Sequence, residues 1–138
     1  MSEAKKEFQT TFLVKKIFFV NKAKEGNFTF APEVGIAFNK ISERQWETLI
    51  NVKVFDKEEQ PFPFDMDIIV SLVTSLPEEL PSNFNLKEYL KINSINILFP
   101  YVRSVVTNVT ASALVNPIFL PLVDVVKMAE GVEIPELQ

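Results

Sequence analysis

Between Thr11 and Thr74 apolar and polar residues alternate with the period that puts every second side chain on one face of a strand. The first run, TFLVKKIFFV, is apolar on both sides, with Phe12, Val14, Phe18 and Val20 on one and Leu13, Ile17 and Phe19 on the other. NKAKEGN supplies turn residues. FTFAPEVGIAF follows, with Phe28 and Phe30 ahead of Pro32 and then Val34, Ile36 and Phe38 in alternation. WETLINVKVF sets Trp46, Thr48, Ile50, Val52 and Val54 against Glu47, Asn51 and Lys53. PFPFDMDIIVSLVTSL sets Phe62, Phe64, Met66, Ile68, Val70 and Leu72 against Asp65, Asp67 and Ser71. Four such runs joined by short polar connectors predict an antiparallel meander with one covered and one mostly wet face.

After Thr74 the period changes. LPEELPSNF is a proline-rich connector, and Asn85 followed by Glu88 predicts a capping box that opens a short helix through LKEYLK. Ile95, Leu98, Phe99, Val102, Val105, Val106, Val109 and Ala113 then form one apolar stripe of a helix running to about Leu114. Pro100 falls inside it, and is expected in the first turn of the main segment or at a kink, where its missing amide costs little. Away from the stripe stand Thr107, Asn108, Thr110, Ala111 and Ser112, small enough to let a second backbone approach. Asn116-Pro117 and Pro121 break the chain before a last helix, LVDVVKMAE, with Leu122, Val125, Val126 and Ala129 on one face. The pattern is that of one α+β domain over residues 1–138: a four-stranded antiparallel sheet, a long helix and a short carboxy-terminal helix, with 1–10 and 131–138 as flexible tails.

Composition adds a surplus. The chain has 138 residues, is 47% apolar and carries 13 phenylalanines. One half-wet sheet and two helices cannot hide all of it, so self-association or ligand capture is expected. A net charge of −4 without a basic run points away from nucleic acid. No apolar stretch is long enough for a membrane span, and MSEAKKEFQ has no signal-peptide core. Cysteine and histidine are absent, which removes thiol chemistry, serine or cysteine triads and the usual zinc sites. Gly26, Gly35 and Gly131 are too scattered for a phosphate loop. Asp65 and Asp67 form the one tight acidic pair on a predicted strand; a solvated strand face is a plainer assignment than an acid/base pair or metal ligands. This inventory speaks for a protein that is not an enzyme and needs no cofactor.

NILFPYVRSVV resembles the N-I-L-F-P-Y-x-R segment that opens the long helix of the export chaperone SecB family. Asn96, Ile97, Leu98, Phe99, Pro100, Tyr101 and Arg103 all fall in register. NPIFLPLVDVV is similar to the family's proline-containing crossover, and FTFAPEV to its aromatic-A-P turn, so the resemblance spans about Phe12 to Met128. It implies a cytoplasmic dimer of dimers with long helices buried between sheets of different subunits. It also implies ATP-independent holding of unfolded polypeptides, and delivery to the Sec translocation motor. The residues it suggests are Phe28, Phe30, Phe119 and Leu120 for client contact, and Phe99, Tyr101, Arg103, Thr107 and Ala111 for the subunit interface. Asp67 and Glu25 would serve motor docking. The chain departs from the family around KAKEGNFTFAP, where only Glu25 is acidic, and at IIVSLV, which replaces a glutamine- and glycine-rich strand. An alternative is the same fold serving one dedicated partner, such as an antitoxin. A carrier of small hydrophobes is a third possibility.

Overall fold

The computed structural model describes residues 7–120 and 124–137. Four antiparallel strands, β1 (Gln9–Asn21), β2 (Glu33–Ser42), β3 (Gln45–Val54) and β4 (Phe64–Ser75), form one sheet. Its order is β1-β4-β3-β2, so the meander expected from the sequence holds for β2, β3 and β4 but not for β1. The cause is the connection before β2. Hairpins use loops of about two to five residues, as at 43–44, whereas residues 22–32 carry Phe28 and Phe30 onto Phe62, with ring centroids 6.3 and 5.8 Å apart. This longer segment leads the chain to the far edge and leaves β1 beside β4.

β1 is not apolar on two faces in the simple sense. Its pairing with β4 shifts between Val14, opposite Val70, and Lys16, opposite Ile69. A bulge of this kind reverses the alternation downstream of it. Phe12, Val14, Ile17 and Phe19 therefore all share the face of Leu72, Val70, Ile68 and Met66. Leu13, Phe18 and Val20 are left on the outer face with Lys16.

The helix lies on the first of these faces. Leu86–Glu88 (α1), a π-helical turn over Tyr89–Ser94 and Ile95–Ser112 (α2) follow one another directly. Asn85 Oδ1 accepts from the Glu88 amide at 3.0 Å, the cap expected from the sequence. At the π turn the buried Ser94 hydroxyl donates to the Leu90 carbonyl and accepts from Thr48 Oγ1 at 2.9 Å, tying helix to sheet. Leu90, Ile95, Leu98, Phe99, Val102 and Val106 pack with Ile50, Val52, Met66, Ile68, Val70 and Leu72 to make the core. Pro100 stands well inside α2, neither in its first turn nor at its end. It and Asn96, whose carbonyl it leaves unpaired, are both exposed, so water can take that bond.

The last helix is shorter than expected, α3 (Val125–Ala129), capped by Asp124, whose Oδ1 accepts from the Lys127 amide at 3.0 Å. Val125 and Ala129 are buried; Leu122 and Pro121 lie outside the described residues. Within the two stretches expected as flexible tails, the described residues 7–10 and 131–137 make contacts. Phe8 stacks on Tyr89 with centroids 4.6 Å apart, β1 begins at Gln9, and Ile134 is buried in the core. Residues 1–6 and 138 lie outside the described residues.

Candidate functional site

α2 covers the middle of the sheet and leaves its β1 edge partly open. Phe12 stacks on Tyr101 with centroids 3.8 Å apart, which anchors the edge at one end. Beyond this pair, Ile17, Phe19, Asn108, Val109, Ser112 and Ala113 line an open groove of about 420 Å³. On the other flank of α2, Pro100, Arg103, Thr107, Asn108, Phe119 and Leu120 line a second groove of about 300 Å³. Asn108 belongs to both, so the grooves meet along the outer ridge of the helix. On that ridge Tyr101, Ser104, Ala111 and Ser112 are exposed.

The second groove is set by bonds between helix and crossover. Arg103 Nε donates to the Leu120 carbonyl at 3.1 Å, Thr107 Oγ1 donates to the Ile118 carbonyl at 2.7 Å, and the Ile118 amide donates to Thr110 Oγ1 at 2.8 Å. Arg103 and Thr107, expected at a subunit boundary, thus fix the crossover within one chain. Phe99, expected at the same boundary, is buried in the chain's own core, because it lies on the stripe that faces the sheet. Tyr101 and Ala111 remain exposed. Of the residues expected to touch clients, Phe119 is 73% exposed, but Leu120 is only 4% exposed. Of these neighbouring crossover residues, one side chain faces solvent and the other is packed inward. Phe28 and Phe30 are half-buried against Phe62, away from both grooves' linings.

The outer face of the sheet carries charge pairs. Lys15 Nζ lies 3.0 Å from Glu47 Oε2, and Lys16 Nζ 2.6 Å from Asp67 Oδ2. Burial pushes the Asp67 carboxyl upward, but the bonds from Lys16 and Asn51 outweigh it and hold its pKa below the ordinary value. Glu47 behaves alike: burial raises it, and Ser71, Lys15 and Asn39 together lower it further. Asp65 accepts from the Asp56 amide at 2.8 Å and has Lys22 at 3.5 Å. The acidic pair is therefore two separately neutralised carboxylates. Glu25, the other expected docking acid, is exposed in the 22–32 connection. Among the described residues no acidic cluster could hold a metal ion, and no helix is long and apolar enough to cross a membrane.

The sequence marked β1 as a source of surplus apolar surface, but none of its residues was among the expected contacts. Leu13, Val14, Ile17, Phe18 and Val20 are all exposed to a large degree. The signal was the lysine pair in the middle of an apolar run, which marks the bulge.

The family model for the preprotein translocase subunit SecB matches residues 4–130. An uncharacterised protein of Methanocaldococcus jannaschii is 28% identical over 130 residues, covering 90% of this chain and 83% of its own. Among solved structures, the chain is similar to the SecB-like chaperone Rv1957 of Mycobacterium tuberculosis, determined with a ChAD peptide from the Rv1956 HigA1 antitoxin. That match has a TM-score of 0.68 at 14% identity, over 85% of this chain and 91% of the other. A Streptococcus agalactiae protein of unknown function matches with a TM-score of 0.54 at 14% identity, over 84% and 98%. At these identities the structural matches speak to the fold alone.

Proposed function

The chain belongs to the SecB family, and from that premise we propose that it is an ATP-independent holdase for non-native polypeptides, acting in the cytoplasm as an assembly of identical subunits. The exposed apolar surface along β1 and the outer ridge of α2 supports the assembly, and the open groove beside Phe119, itself 73% exposed, is the observation that most supports the holding of clients. Unfolded chains offer scattered apolar side chains and unpaired backbone, which an exposed strand edge and apolar grooves can both engage. In this reading other subunits cover Val14, Ile17, Tyr101 and Ala111, and Phe119 with Phe28 and Phe30 meets the client. Delivery to the Sec motor is its further part. Docking through Asp67 would first have to break the Lys16 pair, so Glu25 is the more available of the two acids.

A dedicated partner is the second reading. The solved relative bound to an antitoxin peptide shares the fold, and on the outer face Asp67, the strand acid expected at the motor, is already paired with Lys16. The test is to mix the protein at stoichiometric concentration with several unrelated unfolded proteins and follow their aggregation by light scattering. Suppression across the set supports the holdase; suppression of none removes it.

A further inference from the structure

The chain has two arginines, and each donates to a backbone carbonyl: Arg103 Nε to Leu120 at 3.1 Å and Arg44 to Pro77 at 2.8 Å. Their surroundings differ. The cleft that Arg44 lines also holds Glu43 and Glu78, so acids stand beside that cation. On the outer sheet face Lys15, Lys16 and Lys22 likewise lie against carboxylates. The groove that Arg103 lines, between α2 and the crossover, has no acidic side chain in its lining. Arg103 is half-buried, and beyond its Nε bond the guanidinium has no partner among the described residues. That one bond fixes the plane of the group, and its unused N–H pairs form a fork suited to a carboxylate. Phe119 lines the same groove at 73% exposure. Ser104 and Asn108 add an exposed hydroxyl and amide, 3.5 Å apart and so at the long limit of a hydrogen bond. Both are free to turn towards the backbone of a guest. At about 300 Å³ the space suits a few side chains of a guest and no larger element.

We propose that this groove selects interior segments of a non-native chain in which a carboxylate side chain stands next to an aromatic residue. The carboxylate takes the free N–H groups of Arg103, and the neighbouring ring lies on Phe119. An apolar groove alone accepts any greasy segment, whereas a fixed cation without a counter-ion discriminates by charge. Segments carrying lysine or arginine at that point meet like charge and are disfavoured. The inference rests on the holdase reading for placing clients in this groove, and it adds their chemical class.

The probes are two fluorescein-labelled peptides with a blocked carboxy terminus, Gly-Phe-Glu-Phe-Gly and Gly-Phe-Gln-Phe-Gly, read by anisotropy against the full-length protein. Wild type should bind the glutamate peptide about fivefold more tightly, the size of a good half-exposed ion pair. Arg103→Gln should bring the two affinities together, and Phe119→Ser should weaken both peptides alike. Arg103→Lys keeps the charge and a donor for the Leu120 carbonyl, and loses the fork. It should retain part of the gap, which keeps the test readable if Arg103→Gln does not fold. Equal affinities in wild type, or binding of neither peptide, overturn the inference. A gap that survives Arg103→Gln, or binding that ignores Phe119→Ser, also overturns it, because the site then lies elsewhere. Gly-Phe-Gln-Phe with a free carboxy terminus is the last arm; if it matches the glutamate peptide, the groove reads chain ends and the interior-segment assignment falls. Suppressed aggregation without a glutamate preference leaves the holdase standing and removes this inference. A glutamate preference without suppression removes the holdase and leaves the site.

Discussion

Ile17 of β1 and Ile68 of β4 are the same residue type, directly paired across neighbouring strands and pointing to the same face. Ile68 is fully buried and Ile17 is 53% exposed. The same contrast runs along both strands: β4 is buried over most of its length, and β1 is exposed over most of its own. Composition does not separate them, since each is rich in aliphatic and aromatic residues. Position does. β4 lies between two strands and under α2, whereas β1 is an edge that α2 only partly overhangs. An edge strand with this much apolar surface is a template for another chain, and the account rests on that difference.

The largest effect should come from breaking the buried member. Ile68→Ala is expected to cost about 2–5 kcal/mol in chemical denaturation, because it leaves a cavity in a closed core. Ile17→Ala should cost under about 1 kcal/mol of the subunit's own stability, while weakening assembly in sedimentation. A similar stability loss for both would mean that β1 is better covered within one chain than its exposure indicates.

Next is the link between sheet and helix. Thr48→Val keeps the shape of the side chain and removes its bond to Ser94. About 1 kcal/mol should be lost at equilibrium, with amide exchange increased around Tyr89–Ser94. An unchanged exchange pattern there would show that the π turn does not depend on the sheet.

Smallest is the charge layer on the outer face. In the folded protein burial pushes both Glu47 and Asp67 upward, but the hydrogen bonds to Glu47 from Ser71, Lys15 and Asn39, and those to Asp67 from Lys16 and Asn51, outweigh it and hold both carboxyls below their ordinary range. A lowered folded pKa stabilises the fold above the unfolded value and is lost as pH falls through the lower, folded one. Stability should therefore be level near neutrality and decline below about pH 4.5. Lys16→Met should lose at most about 1 kcal/mol at pH 7, since the lysine is half-exposed, and should flatten part of the acid decline. Equal acid sensitivity with and without Lys16 would remove the pair from that role.

Much of this fold could be read from the chain. Alternation in β3 and β4, the Asn85 cap and the stripe from Ile95 to Val106 are local patterns, and each repeats its own period. The strand order could not be read. It depends on where a long connection packs, and Phe28 and Phe30 give the same local pattern whether they continue a strand or cap the sheet end. The bulge at Lys15 was visible only as two apolar faces, because one extra residue exchanges the parity of everything after it. Candidate contacts fared unevenly for a similar reason. Phe119 and Leu120 are chemically alike neighbours, and only their packing in the fold, 73% against 4% exposed, shows which of them turns inward. Tail residues such as Ile134 carry no periodic signal long enough to announce that they pack.

Other chains are expected to cover the apolar surface which β1 and the ridge of α2 leave open. Sedimentation velocity of the wild-type protein at micromolar concentration, alongside Ile17→Ser, tests it directly. Wild type is expected to sediment as a stable species at a multiple of 15.7 kDa, shifted towards the single chain in the variant. A wild-type protein that sediments as one 15.7 kDa chain across that range, with the variant indistinguishable from it, would mean that no second copy covers β1.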